Sequence, residues 1–157
     1  MLRSRRMRRY LGVVFLVLLI SVVLGIRTST TAEELRYKTA SGLTVYLGVM
    51  PAQIVKGHPA MHGGTPRGSH QYHVVVAIFD AISGARISDA AVAAKVSGLG
   101  LSGRVTTLEP MKIADTTTYG TFVNFPGADL YTIELTVQRS GSREPVVVEL
   151  KYDHRGE

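Results

Sequence analysis

Between His58 and His73 the chain reads HPAMHGGTPRGSHQYH, which places four of its five histidines and Met61 within sixteen residues. Imidazole and thioether are neutral donors for transition metals. Together they select Cu(I), while several imidazoles without thioether suit Cu(II), Zn(II) or Ni(II). The sequence has no cysteine, so thiolate zinc sites, disulfides and thiol catalysis are excluded. The candidate ligands are therefore His58, Met61, His62, His70 and His73. Met50 and Met111 join them, since each adjoins a proline at an expected strand end and so lies at an edge of the domain. A copper ion is the expected occupant, with other transition metals as alternatives. The same residues also have ordinary readings: loop histidines are commonly solvated, a histidine on a buried strand can be a hydrogen-bonded core residue, and methionines fill gaps. His154 is expected to be exposed.

Spacing decides which donors can meet. Met61 and His62 are neighbours in a glycine-flanked loop, and the backbone there can present both to one ion. His58 precedes Pro59 and is held extended, approaching from the loop's other end. His70 and His73 are three apart, so in a continuous strand they would point to opposite faces. They can share an ion only if the strand starts near Tyr72 and His70 still belongs to the loop.

Other chemistries find no support. Gly98-Leu-Gly-Leu-Ser-Gly103 satisfies G-x-G-x-x-G, but the β-branched RVTTLEP follows where a dinucleotide site needs a helix. There is no G-x-S-x-G elbow and no carboxylate pair at a working spacing, so no enzyme is expected. The formal charge of +6 is local: Arg3, Arg5, Arg6, Arg8, Arg9 and Arg27 precede every acidic residue, leaving 12 of the 18 basic residues against 12 acidic ones. A phosphate-tracking face is therefore absent, and nucleic acid is not an expected partner.

The elements that must position the donors fall into three segments. Residues 1–32 carry a cationic start and the apolar run Tyr10 to Ile26, an expected hydrophobic helix that is either a signal peptide or an N-terminal membrane anchor. The domain is then expected in the periplasm or cell envelope. Residues 33–41 are polar and aperiodic, as a flexible tether would be. Residues 42–154 alternate with period two and contain no long amphipathic helix. Leu43, Val45, Leu47 and Val49 share one face, and so do Tyr131, Ile133, Leu135 and Val137, and again Val146, Val148, Leu150 and Tyr152. Tyr72 to Phe79 is apolar on both faces, as in a central strand. About seven short strands with a turn every eight to twelve residues predict an all-β, immunoglobulin-like β-sandwich. PGADLY, at the start of the penultimate strand, matches a tyrosine corner or an ordinary buried tyrosine.

Two resemblances follow from these residues. SGARISDAAV (Ser83 to Val92) with FPGADLYTIELTV resembles the FixH/YtkA-like group of membrane-anchored envelope proteins. GLTVYLGVMPAQ followed by HQYHVVVAI is similar to the periplasmic iron-transport accessory proteins, whose immunoglobulin-like domain carries copper on Met and His ligands. The second resemblance implies His73 and Met50 as the best-matched ligands. Val74 and Val75 stand where that family has acidic residues, which argues against iron transport and a carboxylate-assisted site. The expected function is that of a copper carrier, chaperone or transporter accessory, with an inner-membrane transporter or complex as partner. The alternative is a membrane-anchored interaction module that assists assembly of a membrane complex without metal.

Overall fold

Tight turns set the strand ends. Ser41 and Gly42 both take positive φ, 50° and 79°, the two-residue geometry whose twist suits a β-hairpin. Asp80 closes the next reversal, its Oδ1 accepting from the backbone N–H groups of Ile82 and Ser83, with Gly84 at φ 68°. In the computed structural model the described residues are 36–55, 68–100 and 102–155. All of them belong to the unit Thr31–Glu157.

The strands are β1 (Tyr37–Ala40), β2 (Leu43–Pro51), β3 (Gln71–Asp80), β4 (Ala90–Ser97), β5 (Val105–Ile113), β6 (Thr116–Asn124), β7 (Leu130–Arg139) and β8 (Val146–Asp153), with a 3-10 turn at Ala52–Val55. Every pairing is antiparallel, in the order β1-β2-β3-β6-β5-β4-β7-β8. The all-β expectation holds, with eight strands rather than about seven. The additional strand is β1, which lies inside the segment expected to be a tether.

The layers are not separate sheets. β5 pairs with β4 through Val105 to Leu108 and with β6 through Glu109 to Ile113, so one strand serves both halves. Pro110 falls at the changeover, where a residue without an N–H disturbs the ladder least. The strand end expected beside Pro110 is not one, because Glu109 and Met111 lie in the same strand. On the far side β1 approaches β8, and Lys38 of β1 acts electrostatically on Glu149 of β8. The sheet nearly closes on itself.

The inward faces follow the predicted alternation. Leu43, Val45, Leu47, Val74, Val76 and Ile78 from one half meet Ile133, Leu135, Val137, Val148, Leu150 and Tyr152 from the other. Each such burial contributes about 1.5–3 kcal/mol. Tyr131 Oη donates to the Gly127 carbonyl oxygen at 2.9 Å and accepts from the Gly127 N–H at 3.2 Å, which is the tyrosine corner. The G-x-G-x-x-G stretch is a link between strands: the Leu99 N–H reaches Asp129 Oδ2, and the Gly103 N–H reaches Ser97 Oγ. The expected N-terminal helix lies outside the described residues. Among those described, no helix is long and apolar enough to cross a membrane.

Candidate metal centre

β3 supplies the first donor. Val74, Val76 and Ile78 turn into the core, so alternation sends His73 to the opposite, outer face of the sheet. It is nonetheless buried, with 3% of its surface exposed. Its cross-strand partners are Met50 on β2 and Phe122 on β6, and the Phe122 ring leans on the imidazole at 5.2 Å. On β6 the outer face continues through Gly120 and Thr118. Gly120 pairs with Glu109, and Thr118 pairs with Met111 on β5. Register alone thus puts Met50, His73, Gly120, Thr118 and Met111 on one face across four strands.

Gly120 is where the donors converge. A Cβ at this position would stand 2.8 Å from Met111 Cε, 3.0 Å from His73 Nε2 and 3.0 Å from the Val74 carbonyl oxygen. The missing side chain is the space into which the thioether arm and the imidazole both reach. Met111 is buried, while Met50, directly across from His73, is partly exposed at the rim. Beside Met111, Thr118 is buried, and its Oγ1 makes no hydrogen bond to any described residue. Val75 follows His73 on this face, and one carboxylate, the exposed Glu109, stands across from Gly120. Among the described residues no three His, Asp or Glu side chains gather. A nitrogen and a sulfur donor over a glycine fit a soft cation better than a hard one.

The other predicted ligands fall elsewhere. His58, Met61 and His62 lie outside the described residues. His70 is an exposed turn residue just before β3, which begins at Gln71, and its carbonyl accepts from the Phe125 N–H at 2.9 Å. It therefore belongs to the loop, and strand parity does not bar it from the His73 face. Met50 sits at a strand end before Pro51, as expected, but Met111 does not: it lies within β5, held beside β6.

His154 corrects the sequence reading. It was expected to be exposed, and it is buried, with 9% of its surface exposed, in a box formed by Tyr72, Phe125, Tyr131 and Tyr152. Its Nδ1 lies 3.0 Å from the Gly127 carbonyl oxygen, and its Nε2 lies 2.7 Å from Tyr72 Oη. A carbonyl can only accept, so Nδ1 carries a proton, and Nε2 shares a hydrogen bond with the tyrosine hydroxyl. With both nitrogens engaged, His154 fastens the segment after β8 to the start of β3 and is not a ligand. Continuing the alternation of Val148, Leu150 and Tyr152 by one more step would have pointed it inward.

No family model matches this sequence, and no curated protein matches it. The fold does have solved counterparts. A copper-bound variant of FetP from uropathogenic Escherichia coli strain F11 matches with a TM-score of 0.58 at 13% identity, over 77% of this chain and 95% of that one. Copper-reconstituted P19 from Campylobacter jejuni matches with a TM-score of 0.58 at 14% identity, over 75% and 92%. A DUF4426 family protein from Pseudomonas aeruginosa PAO1 matches with a TM-score of 0.52 at 14% identity, over 74% and 94%. At these identities the likeness is one of fold. In fold it agrees with the second of the two resemblances, and none of the comparisons shows the FixH/YtkA-like one.

Proposed function

We propose that this protein binds copper outside the cytoplasm, as a carrier, chaperone or transporter accessory, and that it catalyses no reaction. The observation that carries the reading is the convergence of His73 Nε2 and Met111 Cε over Gly120. Support comes from FetP and P19, similar in fold and crystallised with copper, FetP also as isolated after expression in the periplasm. Met50 stands at the rim as a further thioether, and His70, His58, Met61 and His62 are the remaining candidate donors of this reading. An immunoglobulin-like sandwich describes the two facing halves of the sheet, and the apolar run at residues 10–26 serves as export signal or anchor.

Copper titration tests this. His73→Ala and Met111→Leu should each weaken Cu(I) binding by at least about tenfold, the loss of one donor interaction. Affinities equal to the parent protein in both variants would sink the assignment. Fractionation of cells expressing the full chain tests the compartment, where recovery in the cytosol contradicts the reading.

A second reading, an interaction module that assists assembly of a membrane complex without metal, draws on another part of the same outer face. Tyr46 packs edge-on against Phe79 at 5.6 Å and stacks on Tyr37 at 5.6 Å, beside a groove of about 520 Å³ lined in part by Thr44, Asp80 and Arg86. A partner retained from solubilised membranes after chelation, and retained by His73→Ala, favours this reading.

A further inference from the structure

Thr118 is 8% exposed, and its Oγ1 makes no hydrogen bond to any described residue. A hydroxyl removed from water without a partner destabilises the fold. Valine would fill nearly the same volume without that cost. The neighbouring Thr116 shows the ordinary arrangement, its Oγ1 donating to the Ile113 carbonyl at 2.9 Å. Thr118 differs in position as well as in bonding. It lies directly across from Met111 and one step along the same face from Gly120, where the His73 imidazole arrives. Thr118 therefore shares one face with the nitrogen and sulfur donors, and the carboxylate on that face is Glu109, across from Gly120.

We propose that Thr118 is a positioning residue for the oxidised ion: its hydroxyl holds a small oxygen ligand, water or hydroxide, that completes the coordination of Cu(II). The inference rests on the copper reading of His73 and Met111 and adds a preference between oxidation states. Cu(I) is satisfied by few soft donors, whereas Cu(II) takes more ligands and accepts nitrogen and oxygen. Outer-sphere hydrogen bonds of this kind orient the inner ligands and tune affinity. Thr118 thus lets one site hold either state, with the hydroxyl engaged only in the oxidised one.

The test compares Thr118→Val and Thr118→Ser with the parent protein, using Cu(I) and Cu(II) as separate probes. In Thr118→Val, Cu(II) affinity should fall by about 10- to 100-fold, with Cu(I) affinity unchanged and the metal-free protein at least as heat-stable as the parent. A tenfold selective loss raises the reduction potential by about 59 mV for this one-electron couple. The Cu(II) electron paramagnetic resonance spectrum should change in Thr118→Val and be retained in Thr118→Ser. Three results overturn the proposal: Cu(II) binding unchanged in Thr118→Val, equal loss of both states, or lower stability of the metal-free variant, which would give the hydroxyl a partner within the protein. If the parent protein takes up neither ion, the copper reading itself falls. If His73→Ala loses copper while Thr118→Val behaves as the parent, only the role of Thr118 falls.

Discussion

At Gly120 the absence of a side chain is the active ingredient. Alanine there would press a methyl against Met111 Cε, His73 Nε2 and the Val74 carbonyl, and the last belongs to a central strand that cannot retreat. Overpacking of this kind costs about 1–3 kcal/mol. Gly120→Ala should lower the urea midpoint and also weaken copper binding, because the two donor arms are pushed apart. A variant that lost stability but kept its affinity would show that the arms do not need this space. The sequence made His73 and Met111 legible as candidates, since both are the right chemical type. It did not reveal Gly120 or Thr118, because neither carries a ligand. Their meaning appears only when β6 is seen to run between β3 and β5.

Elements decide which residues become neighbours, and here the strand patterns were largely readable. Alternation over Leu43–Leu47, Tyr131–Val137 and Val146–Tyr152 reports the inward faces correctly, because period two is a local property of the chain. What escaped were features set by pairing. β1 is a four-residue strand with a polar sequence, held by its ladder with β2 and not by burial. Pro110 read as a terminator, whereas it marks the point at which β5 changes partners. His154 read as a tail residue, because its burial depends on Tyr72, 82 positions earlier. The tyrosine corner was visible in PGADLY and is testable as an element. Tyr131→Phe removes both hydrogen bonds to Gly127 and takes this partner from its N–H, while the carbonyl keeps His154 Nδ1, at a cost of about 1–3 kcal/mol. Chemical denaturation checks this, and an unchanged midpoint would mean that water replaces the hydroxyl without loss.

For the molecule as a whole, surface carboxylates set the acid limit. The Arg155 side chain and backbone N–H hold Asp153 down to about 2 from its usual 3.8. The Ser83 N–H and hydroxyl, with the Ile82 N–H, lower Asp80, and Lys151 lowers Glu149. Groups depressed on folding contribute stability that is complete above their unfolded values and lost as pH falls through the folded ones. Stability should therefore decline from near pH 4 towards pH 2. Asp153→Asn should flatten that decline, and salt should do the same, because these pairs face solvent. Urea midpoints at pH 5 and pH 2.5 measure both effects. The strand order β3-β6-β5 also has a consequence in time. Met111, Thr118 and Gly120 share a hairpin that closes over a short loop, so this half of the centre can assemble early. His73 arrives only when β3 docks along β6, a closure across more than forty intervening residues, and such non-local pairing is slow. A refolding chain passes through a stage in which the thioether is placed and the imidazole is not. On the proposed copper reading, the gain of tight binding during refolding is then a stopwatch for the docking of β3.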